Sequence, residues 1–213
     1  MKTIVIATKN AGKVKEFAHA FAKLGIEVKS LLDYPELPDI PEDGETFIDN
    51  AKQKAETAGI ALQVPVLADD SGLAVDALAG APGVYSARYA GEGANDARNN
   101  DKLISELQSI GANTNEPPLA DGTTLLSPAQ FCCALALYNP SNRQFIVAEG
   151  KVEGYVTDRP HGEEGFGYDP YFYVPQLGCS MAELTKEEKG KISHRGEALK
   201  QLVPIVEQLM QQS

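Results

Sequence analysis

The chain has 213 residues, of which 43% are hydrophobic and 23% charged, and its net charge at pH 7 is −11. This composition is typical of a globular protein with its own core, and the acidic balance excludes an extended nucleic-acid-binding surface. No apolar run reaches the ~18 residues of a membrane span, and the first residues lack the apolar stretch of a signal peptide. We therefore expect a cytoplasmic protein with neither a nucleic-acid nor a membrane partner.

The three cysteines, Cys132, Cys133 and Cys179, are an odd number without the spacing of a metal site. Two of them are neighbours in a predicted strand, where successive side chains point to opposite faces. We expect free thiols in a reducing compartment.

The first third of the chain alternates predicted strands and helices. Residues 2–8 form a short β-rich run, and an apolar stripe at helical spacing predicts a helix at 14–24. A second strand at 26–31 completes a β-α-β unit, which predicts an α/β fold. After an acidic loop with several prolines at 33–45, another apolar stripe predicts a helix at 46–62.

The middle of the chain contains more strands. Apolar runs at 64–70 and 72–78 predict two short strands separated by a Ser-Gly turn. A helix is predicted at 95–108. Residues 129–139 and 143–156 are predicted to be antiparallel strands joined by an Asn-Pro-Ser-Asn turn.

Two long loops separate these strands from their neighbours, a polar one at 111–128 and a glycine-rich one at 157–170. A short strand is predicted at 171–175. A capping-box pattern beginning at Thr185 predicts a short helix, and Ser193 is the expected N-cap of the last helix. The whole pattern predicts a mixed α/β sheet with flanking helices, in two lobes around a cleft.

Two adjacent aspartates, Asp69 and Asp70, end the apolar run at 64–70. In a strand their side chains point to opposite faces, and a buried carboxylate is costly unless a cation meets it. A solvated turn with an Asp or Ser cap is the alternative. The residues alone leave both interpretations open.

The segment TKNAGK, residues 8–13, lies where the first strand gives way to the first helix. Backbone amides at the positive end of a helix, an Asn amide, a Thr hydroxyl and a lysine converge there, as in a phosphate-binding turn. The spacing is not that of a Walker A motif. The same residue types also occur in such turns for their geometry alone, and that interpretation stays open.

Carboxylates form a second candidate site, for magnesium. Glu42, Asp43 and Glu45 lie in the acidic loop, and Asp69 and Asp70 end the later strand. Magnesium takes a few hard oxygen ligands and keeps waters and substrate phosphate oxygens. Near a phosphate-binding turn, carboxylates repel the substrate unless such a cation lies between them. The alternative is a solvated acidic loop, or favourable charge just before a helix N-terminus.

The segment GFGYDP, residues 165–170, is a third candidate. Small glycines around two aromatic side chains let backbone approach a flat ligand and let a ring stack on it. Asp169, which precedes a proline, is equally a turn former.

The fourth candidate is KGKISHRG, residues 189–196, at the start of the predicted last helix. Cations normally favour the opposite end of a helix. This conflict predicts an anion or a carbonyl-bearing ligand between the basic side chains, with a solvated basic patch as the alternative. The basic side chains are Lys189, Lys191, His194 and Arg195.

These segments, in this order, resemble the non-canonical purine nucleoside triphosphate pyrophosphatases, the inosine triphosphatase or HAM1-like family. The resemblance implies one domain over 1–213, with an elongated two-lobed mixed β-sheet, flanking helices and a central substrate cleft. It also implies a homodimer, a Mg²⁺ requirement, and cleavage of ITP, dITP or XTP to the monophosphate and pyrophosphate. The matching motifs are ATKNAGK (7–13), PEDGETFIDNA (41–51), ADDSGLAVDALAGAPGVYSARYAG (68–91), GFGYDPYFYVP (165–175) and AELTKEEKGKISHRG (182–196).

The same resemblance assigns roles to individual residues. Asp70 is the implied general base and a metal ligand, and Glu42 is the implied second metal carboxylate. The implied substrate contacts are Thr8, Lys9, Asn10, Ala11, Gly12, Lys13, Ser71, Phe166, Gly167, Tyr168, Asp169, Lys189, His194 and Arg195.

The implied chemistry is phosphoryl-type transfer, in which positioning and charge neutralisation dominate. Asp70 would orient or deprotonate the water that attacks the α-phosphorus, while Lys13 and Lys189 would offset phosphate charge. N–H donors from 166–169, or from the His194-Arg195 pair, would face the 6-carbonyl of hypoxanthine or xanthine and would be mismatched with the amino group of adenine.

Three other classes remain as alternatives. Maf-like nucleotide pyrophosphatases share the architecture but prefer pyrimidine triphosphates, and the GFGYDP and SHRG segments argue against them. Phospho-receiver domains carry paired aspartates after their first strand, whereas here the pair follows about the third. A non-catalytic nucleotide sensor would bind without cleavage, which a turnover assay distinguishes.

Overall fold

The computed structural model describes residues 3–38 and 40–211, so Lys2 of the first predicted strand lies outside the described residues. The chain divides into two compact units. The first consists of Met1–Asp70, Cys133–Gly150 and His194–Ser213, and the second of Ser71–Cys132 and Lys151–Ser193.

In the N-terminal part of the chain strands and helices alternate, and the longest strands come later in the sequence. The strands are β1 (Thr3–Ile6), β2 (Glu27–Ser30), β3 (Val66–Val75), β4 (Leu125–Asn139), β5 (Gln144–Thr157), β6 (Phe172–Val174) and β7 (Cys179–Ser180). The helices are α1 (Ala11–Phe21), α2 (Phe47–Leu62), α3 (Asp96–Ser109), α4 (Lys186–Ile192) and α5 (His194–Gln211).

Within the described ranges, these strands form one sheet in the order β2-β1-β3-β4-β5-β6-β7. Strand β1 pairs in parallel with β2 and β3, whereas β6 pairs antiparallel with β5 and β7. The mixed sheet with flanking helices confirms the predicted α/β class.

Alternation along β1 builds two cores in the first unit. Ile4 and Ile6 pack with side chains of α1 and α5, among them Phe17 and Leu202. Val5 points to the other face, where it packs with a row of alanines from α2. Both faces of this parallel strand are therefore covered, as is usual when helices lie on both sides of a sheet.

The second unit has a core of its own around α3. Leu103 and Leu107 lie one turn apart on the helix and are fully buried among side chains of β3, β4 and β6. The rings of Phe131 and Phe172 extend this core, with centroids 4.4 Å apart. None of the helices in residues 3–38 and 40–211 is long and apolar enough to cross a bilayer.

The predicted helices are confirmed, with ends shifted by up to three residues. Thr46 caps α2 by accepting from the Asp49 amide, and Thr185 forms the predicted capping box of α4 with Glu188. These ends were predictable because a cap satisfies the free amides of the first turn locally.

The prediction of two strands at 64–70 and 72–78 is wrong. Strand β3 continues through Ser71 and Gly72 to Val75 without a break. Gly72 keeps extended backbone and does not adopt a positive φ, so no turn forms and the side chains go on alternating between the two faces.

The basic segment 189–196 also differs from its prediction. Lys189 and Lys191 lie in the last turn of α4, and His194 begins a separate helix, α5. Cations in a last turn are favoured by the helix dipole, so the predicted electrostatic conflict does not arise for the two lysines. Lys189 belongs to the second unit and His194 to the first.

Candidate active site

Strand β3 sends its two aspartates to opposite faces of the sheet, and both are almost fully buried. Asp69 contacts side chains of α1 and α5, whereas Asp70 contacts side chains of α2. Each carboxylate meets a cation there, as the cost of burying a charge requires.

Asp69 joins α1 and α5 electrostatically. Its carboxylate accepts from Arg195 Nε at 2.8 Å and from the Lys13 ammonium, and the Cys133 thiol donates to Asp69 Oδ2 at 3.3 Å. Burial alone would raise the pKa of Asp69, but the charges of Arg195 and Lys13 hold that pKa well below its usual range. The residue is therefore an anion at neutral pH and binds two cations.

Asp70 lies in a second cluster, against α2. Asn50 Nδ2 donates to Asp70 Oδ2 at 3.0 Å, and Lys54 Nζ lies 3.3 Å from Asp70 Oδ1. Burial raises the pKa of Asp70, and the Lys54 ammonium and the Asn50 amide counter only part of that rise. A carboxylate with a raised pKa is a better proton acceptor than an ordinary aspartate.

Lys54 brings Glu42 into this cluster. Its ammonium donates to Glu42 Oε1 at 2.6 Å and to the Asp69 carbonyl oxygen at 2.9 Å. Burial alone would lower the pKa of Lys54, but Asp70 and Glu42 raise it. Two carboxylates thus converge on one position that already holds a positive charge.

The convergence of Glu42 and Asp70 on Lys54 bears on the prediction that these two carboxylates bind magnesium. The described part of the chain contains no group of three or more His, Cys, Asp or Glu side chains that could hold a metal ion. Magnesium, however, commonly uses one or two protein carboxylates and completes its shell with waters and substrate phosphates. Glu42 and Asp70 fit that requirement, since both already converge on a single ammonium group.

Asn50 connects the acidic loop to β3. It is fully buried, accepts from the Gly44 amide at 2.8 Å and donates to Asp70. A Cβ at residue 44 would lie 2.8 Å from Asn50 Oδ1 and 2.9 Å from Asp49 Cβ, so a glycine is needed for this close approach. The loop that carries Glu42 is thereby held against α2.

The segment TKNAGK forms the N-terminal cap of α1. Asn10 Oδ1 accepts from the amides of Gly12 at 2.8 Å and Lys13 at 3.2 Å, and Thr8 Oγ1 accepts from the Asn10 amide at 3.1 Å. A phosphate bound at this helix end must share or replace those contacts. The exposed members of the segment are Lys9, Asn10, Ala11 and Gly12.

The first turn of α5 carries His194 and Arg195, both buried. Besides Asp69, the Arg195 guanidinium binds Glu16 Oε2 at 2.7 Å. Gly150 of β5 lies against this turn, where an added Cβ would be 2.6 Å from the Ala198 amide and closer still to the His194 carbonyl. The close approach of α5 to β5 therefore depends on a residue without a side chain.

In the second unit, the segment GFGYDP closes into a loop around Asp169. The Phe166 amide donates to Asp169 Oδ2 at 2.9 Å, and the Lys189 ammonium binds the same carboxylate. Lys189 Nζ also lies 5.3 Å from the centre of the Phe166 ring, a cation–π distance. The Phe166 side chain is 42% exposed, so an aromatic ring is presented beside a cation.

Three more of the predicted contacts belong to the second unit. The ring of Tyr168 is buried in the core, and its hydroxyl donates to the Ser86 carbonyl at 2.9 Å. Both backbone polar atoms of Gly167 bind side chains of α3. Ser71 follows Asp70 on β3 and is half-buried.

Lys54, Asn50 and Cys133 contact the two aspartates, and sequence reasoning missed all three. A signal existed for Lys54 and Asn50, because they interrupt the apolar stripe of α2 beside Ala51 and Ala55. Their i, i+4 spacing puts them on one face, but the sequence does not say which strand that face meets. Cys133 gave no comparable signal, since a buried thiol is ordinary in a strand.

Fold and site together define a mixed-sheet α/β protein in which one inner strand presents two buried carboxylates, Asp69 against Lys13 and Arg195 and Asp70 against Lys54. The chain belongs to the Ham1 family, whose model matches residues 4–205.

Individual relatives agree with this assignment. A protein from Geobacillus kaustophilus named dITP/XTP pyrophosphatase is 56% identical over 202 residues, which are 95% of this chain and 93% of the relative. A protein of the same name from Halalkalibacterium halodurans is 53% identical over 95% of this chain and 97% of its own length.

Solved structures are similar as well. The Staphylococcus aureus Ham1 protein has a TM-score of 0.81 at 43% identity, covering 97% of this chain and 98% of its own. A HAM1 protein from Coxiella burnetii has a TM-score of 0.83 at 39% identity, with the same coverage. The predicted family and fold are confirmed.

Proposed function

We propose that this chain is a Mg²⁺-dependent pyrophosphatase that hydrolyses ITP, dITP and XTP to the nucleoside monophosphate and pyrophosphate. The observation that carries the proposal is the double cluster on β3, in which Asp70 and Glu42 converge on Lys54 while Asp69 fixes Lys13. The name dITP/XTP pyrophosphatase of the two bacterial relatives supports the same reaction.

The triphosphate binds at the N-terminus of α1, where the helix dipole and Lys13 attract it. Asp69 holds the Lys13 ammonium in place. Lys54, which is buried between Glu42 and Asp70, supplies a second positive charge. These cations stabilise the charge that develops on the phosphate oxygens and the departing pyrophosphate.

Asp70 acts as the general base. It takes a proton from the water whose oxygen forms the new bond to the α-phosphorus, while the bond from that phosphorus to the bridging oxygen breaks and pyrophosphate leaves. The raised pKa of Asp70 suits this role, since the carboxylate then holds the abstracted proton more firmly. Glu42 and Asp70 would hold the magnesium ion, which would supply a Lewis acid for the phosphate oxygens.

The purine base is proposed to contact the Phe166–Asp169 loop, with the exposed Phe166 ring stacking on it. The amides of Phe166 and Gly167 already donate to Asp169 and Asp96. Among the backbone amides of this loop, the Tyr168 amide is therefore the stronger candidate donor to the purine 6-carbonyl.

Pyrophosphate release from ITP, dITP, XTP, GTP, ATP and dTTP, with and without magnesium, tests the proposal. Magnesium-dependent release confined to the first three is expected. A preference for dTTP would instead favour a Maf-like activity, and binding of ITP without release would favour a nucleotide sensor. The homodimer, the cytoplasmic location and the central substrate cleft stay predictions.

Replacing Asp70 with Asn tests the base directly. The variant keeps its shape but cannot take the proton, so kcat for ITP should fall about a hundredfold or more. Asp76→Asn, a matched change at an exposed aspartate, should leave kcat unchanged. Turnover of Asp70→Asn close to that of the wild type would refute the assigned role.

A further inference from the structure

We propose that Asp96 and Asn100 of α3 are positioning residues that fix the Phe166–Asp169 loop in the conformation that recognises the purine base. This inference rests on the proposed function, because that function assigns recognition of the purine base to the loop. Neither residue belongs to a segment to which the sequence gave a role.

The side chains of Asp96 and Asn100 bind the backbone N–H and C=O groups of one loop residue, Gly167. Asp96 Oδ2 accepts from the Gly167 amide at 2.7 Å, and Asn100 Nδ2 donates to the Gly167 carbonyl at 2.9 Å. We call this pair of side chains the α3 clamp. A carboxylate accepting from an amide is a charge-assisted hydrogen bond and is stronger than a neutral one.

The clamp is geometrically rigid on the helix side. Residues four apart lie on the same face of a helix, so Asp96 and Asn100 approach Gly167 from one direction. Their helix is fixed by the burial of Leu103 and Leu107 in the core of the second unit. Gly167 itself has a φ of +63°, a conformation that favours glycine and that the two hydrogen bonds hold in place.

Contacts within the loop do not provide this orientation. The bond from the Phe166 amide to Asp169 closes the loop on itself, which sets its shape but not its direction. The hydroxyl of Tyr168 binds the Ser86 carbonyl at 2.9 Å and fixes one point below it. The Lys189 ammonium of α4 fixes a second point by binding the Asp169 carboxylate at the end of the loop. The α3 clamp fixes a third point, directly after the exposed Phe166 ring, and so constrains how that ring and the following amide are presented.

Loss of the clamp should affect recognition of the base more than the chemical step. The loop would sample other orientations, and the substrate would have to order it on binding. We expect Asp96→Ala and Asn100→Asp to raise KM for ITP about tenfold, with kcat changed by less than about threefold. Asn100→Asp removes the donor and turns a carboxylate toward the Gly167 carbonyl, at almost constant size.

Asp96→Asn is the rescuing variant. Its amide oxygen still accepts from the Gly167 amide, so KM should stay within about threefold of the wild-type value. Asp101→Asn is the matched control, because it removes one charge from an exposed position of the same helix and should leave KM unchanged.

The experiment combines steady-state kinetics on ITP and GTP with amide hydrogen exchange of the segment 165–169, measured on the full chain without nucleotide. Faster exchange in Asp96→Ala and Asn100→Asp, together with the KM effect and a reduced preference for ITP over GTP, supports the clamp. Unchanged exchange and unchanged KM overturn it. An equal fall of kcat on both substrates, with a lower melting temperature, shows a merely structural role and overturns it as well.

The two proposals can fail separately. If the wild-type chain releases no pyrophosphate from ITP, the proposed function fails, while the exchange experiment still decides whether Asp96 and Asn100 hold the loop. If the wild type is active but both variants match it in KM, the clamp alone is refuted. Should Asp96→Ala fail to fold, Asn100→Asp with Asp96→Asn carries the same comparison.

Discussion

Lys54 balances the charge of the candidate site. Its buried ammonium contacts the side chains of Glu42 and Asp70 and the main chain of Asp69. Without it, two carboxylates face each other in a partly desolvated place, which favours protonation of one of them. A general base that is protonated cannot accept the proton of the attacking water.

Lys54→Met should therefore lower kcat for ITP about a hundredfold, because the variant loses a positive charge near the phosphates and weakens the base. Steady-state pyrophosphate release measures the effect. Lys52→Met, at a half-exposed position of the same helix, is the control for loss of one lysine. A kcat for Lys54→Met within twofold of the control would contradict the role.

The buried Asp69 carboxylate predicts how the free energy of unfolding changes at acidic pH. Its pKa is lower in the folded chain than the ~3.9 of an unfolded aspartate. The contribution of the ionised Asp69 to the stability of the fold is therefore fully present above the unfolded pKa. It is lost as the pH falls from the unfolded pKa through the lower folded pKa. Asp69→Asn removes the carboxylate that binds Lys13 and leaves Arg195 with the carboxylate of Glu16, and it should cost about 3–5 kcal/mol of the free energy of unfolding at pH 7.

Urea unfolding between pH 7 and pH 3 in metal-free buffer checks this. The difference between wild type and Asp69→Asn should shrink as the pH falls below about 4. Asp43→Asn, at an exposed position of the acidic loop, should follow the wild type throughout. A difference that stays constant down to pH 3 would mean that the Asp69 carboxylate is not the titrating group.

At the scale of elements, the position of α5 depends on β5. The first turn of the helix carries His194 and Arg195, and it lies directly over Gly150. Arg195 in turn binds Asp69 of β3. The start of α5 therefore reaches the site only because one strand residue has no side chain.

Gly150→Ala should push this turn away from the strand. We expect a loss of about 1–3 kcal/mol in the free energy of unfolding and a higher KM for ITP, because His194 and Arg195 move with the turn. Gly190→Ala is the control, since a Cβ there meets nothing within 4 Å and alanine suits a helix interior better than glycine. An unchanged stability of Gly150→Ala would show that α5 does not need this approach.

At the scale of the whole molecule, net and local charge have opposite signs. The chain carries a net charge of −11, yet the first unit gathers Lys13, Lys54 and Arg195 around two aspartates. An acidic surface disfavours long polyanions, whereas a small cluster of cations suits a single triphosphate.

Removal of magnesium should abolish activity and leave the fold intact. Glu42 and Asp70 already bind Lys54, so their negative charge is compensated without a metal. A chelator should therefore stop pyrophosphate release from ITP while the melting temperature changes little, and added magnesium should restore the rate. Release that continues in excess chelator would refute the metal requirement.

Much of the fold could be predicted because its signals are local. The cap of α2 at Thr46 and the capping box of α4 at Thr185 need only neighbouring residues. The break at Ser71-Gly72 was mispredicted because whether a Ser-Gly pair turns or stays extended depends on its neighbours in the sheet. In the same way, Lys189 and Lys191 were predicted to lie at the start of the last helix, although they lie in the last turn of the helix before it.

The sequence by itself determined the α/β class, the family and the segments that carry the chemistry, because strand period, helix period and motif order are properties of the chain. Period-two alternation even required that Asp69 and Asp70 face opposite sides. Only the tertiary structure decided which cations meet each aspartate and that α3 binds Gly167. Those contacts join residues up to 126 positions apart, and such partners are selected by packing between elements, which no local pattern encodes.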